Sequence, residues 1–115
     1  MSDATARLAG KLQALWESSK ASIVGRVEAL HSARVRLTAN PLDADARQRG
    51  HDEAHKLAGV LGVFGMPQGS ELASQIEALL DGPEPLDTQR LENLRQLTEA
   101  LGAVIAAKAS QNAAG

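Results

Sequence analysis

Three breaks marked by proline and glycine divide the chain into four stretches, and this division constrains the fold more than any other feature. The breaks lie at Asn40-Pro41, at Gly65-Met66-Pro67 and in the segment DGPEPL at residues 81–86. The residue before a proline avoids the helical region, and glycine often follows the last turn of a helix. The stretches between the breaks are rich in alanine and leucine, which favour helix. The sequence therefore predicts helices over about residues 4–39, 43–64, 67–81 and 87–109, with a frayed tail at 110–115.

Apolar residues in each stretch recur at helical spacings, which places them along one side of a helix. In the first stretch this pattern predicts one long helix, or two helices broken near Ser18-Ser19. Its members are Leu8, Leu12, Leu15, Ser19, Ile23, Val27, Leu30 and Leu37. Amphipathic helices joined by short connections pack in an up-down-up-down arrangement. We therefore expect an all-α fold, an antiparallel four-helix bundle, formed by residues 1–115 as a single domain.

Composition and charge exclude several classes of function. The formal net charge is −2 and no basic block is present, so nucleic acid is not an expected partner. The absence of cysteine excludes disulfides and thiol catalysis. No apolar run is long enough for a membrane span, and the start MSDATARL lacks a secretory signal and is typical of a natural N-terminus. We expect a free-standing cytoplasmic protein, and a monomer because the bundle already buries four apolar stripes.

The second predicted helix contains the stretch HDEAHKLAGVLGVFG, residues 51–65, which carries the residues of chemical interest. At about 100° per residue, its apolar stripe lies on the side of the helix opposite His55. Gly59 and Gly62 fall within about 40° of this histidine. An interior glycine destabilises a helix by roughly 1 kcal/mol relative to alanine. Two glycines beside an outward-facing histidine therefore indicate a surface kept free of bulk for a close approach.

Metal binding is one chemical role for such a histidine. HDEAH has the spacing of the zinc-binding HExxH motif, but Asp52 stands in place of its glutamate. A zinc site needs a third ligand, for which only His31 or an interhelical residue such as Glu77 is available. A di-iron bundle needs two Glu-x-x-His motifs, which the chain lacks. We therefore expect neither a metal nor a cofactor in this chain.

Nucleophilic chemistry is a second role, and a surface that only binds partners is a third. A neutral imidazole is a good nucleophile at neutral pH. It can take a phosphoryl group on Nε2 when a hydrogen bond holds Nδ1 and fixes the tautomer. The imidazole must then be exposed, and its surroundings must admit a bulky donor. The face around His55, with its small residues, meets that requirement.

The stretch AHKLAG at residues 54–59, followed by Gly65, Leu72 and Glu77 at matching distances, resembles the motif of histidine phosphotransfer (HPt) domains. The resemblance implies a four-helix bundle in which His55 is the phosphoacceptor. Such domains relay a phosphoryl group between the aspartates of receiver domains in two-component phosphorelays, and they have no ATP-dependent kinase activity. The implied partners are response-regulator receiver domains or a hybrid sensor histidine kinase. Any Mg²⁺ is expected in the partner receiver domain.

The resemblance also implies supporting roles around His55. Gly59 and Gly62, together with Ala58, let the active-site cleft of a receiver close over the imidazole. The family commonly has lysine where this chain has Ala58. Lys56 then offsets the phosphate charge from the flank of the helix. The missing lysine leaves an alternative function open, an HPt-shaped module that docks a kinase or receiver without carrying phosphate.

Three residues are candidates for the hydrogen bond that holds Nδ1 of the imidazole. Gln75 or Glu77 could supply it from the third helix, and the position of Glu77 in the motif favours the glutamate. Asp52 could supply it from the preceding turn of the second helix. His51 is an alternative phosphoacceptor, which we rank below His55 because no glycine follows it four residues later.

Overall fold

Four helices make up the part of the chain that the structure describes. The computed structural model describes residues 3–114, with side chains described for residues 3–111. The helices are α1 (Asp3–Ala39), α2 (Ala44–Val63), α3 (Pro67–Leu80) and α4 (Thr88–Ala114). Helix α2 packs against α1 and α3, and helix α4 packs against α3 and α1, which closes a bundle. The predicted all-α fold is confirmed for the described residues, which contain no strand.

Helix α1 runs without interruption from Asp3 to Ala39. The alternative of two helices broken near Ser18-Ser19 is therefore wrong. The Ser18 hydroxyl donates a hydrogen bond to the carbonyl oxygen of Leu15 at 3.0 Å. A serine that bonds to the preceding turn in this way is accommodated within a helix.

The N-terminal part of α1 extends past the end of the α2–α3 hairpin. Trp16 is buried and packs edge-to-face on Phe64, the residue that follows α2, with ring centroids 5.5 Å apart. The residues of α1 before Trp16 therefore lie beyond the end of α2. Leu8 and Leu15 were expected in the buried stripe, but they are 59% and 51% exposed. Leu8 lies beyond the end of α2, whereas Leu15 is turned about 100° away from the neighbouring Trp16, which takes the position facing the core.

Helix α4 begins directly after a capping residue and continues further than predicted. The carboxylate of Asp87 accepts a hydrogen bond from the backbone N–H of Arg90 at 2.8 Å, as an N-cap does. The helix runs to Ala114, so residues 110–114 are helical and do not form the frayed tail that the sequence predicted. The alanines near this end favour helix. The last residue, Gly115, lies outside the described residues.

A left-handed turn at Gly65 ends α2 and returns the chain to α3. Gly65 has a φ of +66°, which residues with a side chain adopt only with strain. Its N–H donates to the carbonyl of Gly62 at 3.2 Å, and the N–H of Met66 donates to the carbonyl of Leu61 at 3.0 Å. This pair of hydrogen bonds is a Schellman motif.

We expect Gly65→Ala to lower the free energy of unfolding by about 1 kcal/mol, because the left-handed conformation is strained for alanine. Urea denaturation followed by circular dichroism measures the change. The control is Gly102→Ala in α4, where an added Cβ would meet nothing within 4 Å. That control should raise stability, since alanine favours helix more than glycine does. A Gly65→Ala variant as stable as the wild type would contradict the prediction.

Two buried glycines allow α2 and α3 to pack closely. A Cβ at Gly50 of α2 would lie 2.9 Å from Cδ1 of Leu80, and a Cβ at Gly69 of α3 would lie 3.1 Å from Cδ1 of Leu61. Both distances are shorter than normal carbon contacts, so a side chain at either position would force a shift. The close approach brings side chains of α3 within reach of the outward face of α2.

The core lies between the four helices and is formed by the faces that carry the apolar stripes. Its fully buried large side chains are Trp16, Ile23, Leu30, Leu37, Leu57, Leu61, Ile76, Leu94 and Leu101. No helix among the described residues is both long enough and apolar enough to cross a lipid bilayer.

Candidate functional site

His55 lies on the outward face of α2, on the side of the helix that faces away from the core. Leu57 and Leu61 of the same helix are fully buried, whereas the side chain of His55 is 69% exposed. The helical period places these residues on opposite sides, because about 100° of rotation separates consecutive positions. Helix α2 therefore presents the imidazole at the surface while its apolar stripe holds the helix in the bundle.

A carboxylate of α3 contacts one nitrogen of the His55 ring. Nδ1 of His55 lies 2.8 Å from Oε2 of Glu77, whose side chain is only 28% exposed. Glu77 follows the fully buried Ile76, which anchors this turn of α3. Because an ionised carboxylate only accepts hydrogen bonds, this contact places the proton of a neutral ring on Nδ1 and the lone pair on Nε2. Within the side chains described, Nε2 has no hydrogen-bond partner.

The two other candidates for holding Nδ1 are engaged elsewhere. Asp52 accepts a hydrogen bond from Nε2 of Gln48 at 2.8 Å and lies 3.3 Å from Nδ1 of His51. The hydrogen bonds from His51 and Gln48 hold the pKa of Asp52 below its usual value. Gln75 donates to Glu71 on its own helix at 3.2 Å. Neither Asp52 nor Gln75 hydrogen-bonds to His55. Gln75 lies about 200° around α3 from Glu77, whereas Asp52 lies only about 60° from His55 but its carboxylate contacts Gln48 and His51 instead.

The glycines beside His55 are not required by packing within the bundle. A Cβ added at Gly59 would meet nothing within 4 Å. A Cβ added at Gly62 would have Ser70 Oγ as its neighbour, at an ordinary contact distance of 3.8 Å. Gly59 and Gly62 are both exposed, so an alanine would fit at either position. The small size of these residues therefore leaves open surface next to the imidazole.

Ala58 and Lys56 flank the imidazole in different ways. Ala58 is half-buried against the core, and its carbonyl accepts a hydrogen bond from the hydroxyl of Ser70 at 2.7 Å. This bond ties the first turn of α3 to α2 next to the site, and nothing in the sequence signalled it. Lys56 is exposed, and its charge contributes to lowering the pKa of Asp52. The positive charge of Lys56 therefore acts on Asp52, one turn earlier on α2.

His51 lies one turn before His55, among carboxylates that the sequence did not place there. Its side chain is 24% exposed, and its ring lies among carboxylates of both helices. Nδ1 is 3.3 Å from Asp52, while Nε2 is 3.5 Å from Asp81 and 3.8 Å from Glu77. The position of His51 one turn before His55 follows from the helical period. Its contact with Asp81 could not be predicted, because it depends on how α3 packs against α2.

The described residues do not form a metal-binding site. No group of three histidine, aspartate or glutamate side chains there is arranged to hold a metal ion. His31, one of the candidates for a third ligand, lies on α1 with its Nδ1 3.3 Å from Arg34. The contact with Glu77 instead favours one tautomer of the His55 ring and leaves its other nitrogen accessible, which suits a nucleophile.

Comparisons with known proteins agree with the predicted family. The family model of the Hpt domain matches residues 12–107, which include all of α2 and α3. Protein RcaC of Microchaete diplosiphon is 29% identical over 100 residues, which cover 87% of this chain but only 15% of RcaC. No solved structure matches the chain significantly. Because the family model matches most of its length, this chain belongs to the Hpt domain family, the phosphotransfer modules of two-component signalling systems.

Proposed function

We propose that this protein accepts a phosphoryl group on Nε2 of His55 from the aspartyl phosphate of a receiver domain and passes it to a second receiver. The observation that carries the proposal is the 2.8 Å contact between Nδ1 of His55 and Glu77, on an imidazole that is 69% exposed. This contact supports the proposal because a proton held on Nδ1 leaves the lone pair of Nε2 free for attack.

The transfer needs no proton to leave the protein. The lone pair of Nε2 forms a bond to phosphorus while the bond between phosphorus and the aspartyl oxygen breaks, and the aspartate keeps that electron pair. The imidazole ring becomes positively charged, with the proton still on Nδ1. Glu77 then makes a charge-assisted hydrogen bond to the ring, and such bonds are stronger than neutral ones. The reverse transfer to another receiver follows the same path.

The proposed partner is a receiver domain, alone or as part of a hybrid kinase. Hpt domains interact with receivers and kinases, and they are phosphotransfer carriers rather than kinases. The open surface at Gly59 and Gly62 gives the cleft of a receiver room to close over the ring. In this proposal the receiver supplies the Mg²⁺, and this chain binds neither ATP nor metal.

Incubation with charged receivers tests the proposal directly. Each receiver domain of the source organism is charged with radiolabelled acetyl phosphate and mixed with this protein. We expect the label to pass to the protein, to be lost in acid and to be stable in alkali, as a phosphohistidine is. Addition of a second, unlabelled receiver should then remove it. If none of the receivers labels the protein, the proposed function is wrong.

Glu77→Gln is expected to slow phosphoryl acceptance about tenfold, because the amide offers no charge to the developing imidazolium, and hydrogen bonds to charged groups are the stronger class. The initial rate of labelling by one receiver measures the effect. Glu71→Gln is a matched control on the exposed side of α3, where the carboxylate contacts Gln75. We expect this control to keep the wild-type rate, and an unchanged rate in Glu77→Gln would contradict the assigned role.

A further inference from the structure

Glu77 faces two imidazoles rather than one. Its Oε2 lies 2.8 Å from Nδ1 of His55 and 3.8 Å from Nε2 of His51. The two histidines are one turn apart on α2, so their rings lie on neighbouring positions of the same face. A single carboxylate carries one negative charge and can neutralise only one protonated ring.

The charges around the two rings differ. Besides Glu77, His51 has Asp52 of its own helix at 3.3 Å and Asp81, the residue that follows α3, at 3.5 Å. His55 has Glu77 as its hydrogen-bond partner and is far more exposed, at 69% against 24% for His51. His51 is thus the ring with the greater number of carboxylates around it.

Cations also lie on the helices around His51. Arg47, one turn earlier on α2, donates to the carbonyl oxygens of Leu80 at 2.9 Å and Glu84 at 2.8 Å. From the side of α1, Arg26 pairs with Glu53 at 3.2 Å on another face of α2. Arg47 keeps its charge, because carbonyl oxygens are neutral, and Lys56 acts on Asp52 from the same helix. The groups that face the ring nitrogens of His51 are nonetheless carboxylates, those of Asp52, Asp81 and Glu77.

A neutral His51 ring cannot donate a hydrogen bond to the carboxylates on both of its sides. Neutral imidazole has one N–H, whereas the protonated ring donates from both nitrogens. Nδ1 of His51 faces Asp52, and Nε2 faces Asp81 and Glu77. Only the protonated ring matches this arrangement on both sides, and histidine side chains take up protons in the physiological pH range.

His51 forms a cluster with Asp52, Glu77 and Asp81. We propose that His51 is a positioning residue that takes up a proton within this cluster as the pH falls, which opposes protonation of His55 and so keeps His55 able to accept phosphate. Two adjacent positive rings repel each other, so a proton on His51 opposes a second one on His55. His51 acts through His55 and does not touch the phosphoryl group. The inference rests on the proposed function, because it concerns the neutral form of the same nucleophile.

The test is the ratio of the acceptance rate of His51→Gln to that of the wild type between about pH 6 and pH 8.5, with one charged receiver. We expect a ratio of 1 at the alkaline end and a three- to tenfold lower rate for the variant near pH 6, of the order that a neighbouring charge produces in partly solvated surroundings. The pH dependence of the receiver is common to both proteins and cancels. Added salt should shrink the difference.

His31→Gln is the matched control, because His31 is exposed on α1 next to Arg34 and does not reach the cluster. Its rate relative to the wild type should stay at 1 throughout. A flat ratio for His51→Gln across the pH range would overturn the inference. An equal loss of rate at every pH would also overturn it, since that result indicates a structural role.

A second measurement does not depend on phosphotransfer. In the unphosphorylated protein, the ring signals of His55 in NMR spectra should report protonation at a higher pH in His51→Gln than in the wild type. An unchanged midpoint would overturn the inference even if transfer occurs. If no receiver labels the wild type but the midpoint moves, the proposed function fails while the coupling between the two rings stands.

Discussion

His55→Gln is expected to abolish phosphoryl acceptance while leaving the fold intact. Glutamine is a similar size and polar, but its amide is not a nucleophile, so the loss should be at least about 10³-fold. The side chain of His55 is 69% exposed and makes no core contact, so the thermal midpoint should stay close to that of the wild type. The measurement is labelling by a charged receiver, together with thermal unfolding of the same preparation.

The same variant separates phosphate transfer from docking alone. Titration calorimetry with the uncharged receiver should give similar affinities for wild type and His55→Gln, because the substitution keeps the shape of the surface. His31→Gln serves as the control histidine and should be labelled normally. Label that persists in His55→Gln would show that another residue, with His51 as the first candidate, is the acceptor. A cellular phenotype that survives in His55→Gln would favour a module that only binds.

Gly59→Leu is expected to lower the rate of phosphotransfer at least tenfold without destabilising the protein. The residue is exposed, and an added Cβ would meet nothing within 4 Å, so the bundle accommodates the side chain. In the proposed function a receiver approaches the imidazole across this surface, and a leucine one turn away would occupy that space. The smaller Gly59→Ala should raise the free energy of unfolding by roughly 0.5–1 kcal/mol while slowing transfer less than leucine does.

Gly102→Ala is the control for these substitutions. Gly102 lies on α4, which does not pack against α2, and it too has room for a Cβ. We expect the same gain in stability and a normal rate of transfer. Wild-type transfer by Gly59→Leu would show that the open surface is not used by the partner.

The all-α fold could be predicted because its signals are local. Proline and glycine mark the connections, and apolar residues repeat at the helical period between them. The exposure of Leu8 could not be predicted, because it depends on where α2 ends relative to α1. The burial of Trp16 in place of Leu15 could not be predicted either, because it depends on how α1 is rotated in the bundle. A periodic stripe shows which side of a helix is apolar, but it does not show how far the neighbouring helix extends.

The candidate site, too, could be predicted from the sequence only in part. The outward position of His55 follows from the period of a single helix. The contact with Glu77 joins two helices, and the sequence alone left Asp52 and Gln75 as alternatives. The distance between α2 and α3 is set by packing at Gly50 and Gly69, neither of which has a distinctive sequence pattern. The carboxylates around His51 depend on the same packing.

The open glycine surface beside His55 has a consequence for how partners are told apart. Gly59 and Gly62 present only main-chain atoms, which have the same chemistry in every protein. Such a surface admits any receiver whose cleft fits, but it supplies no side chain with which to reject one. Selectivity is a difference between affinities and needs features that disfavour the wrong partner. It must therefore come from the edge of this surface, where the exposed Lys56 and the 63% exposed Val63 lie.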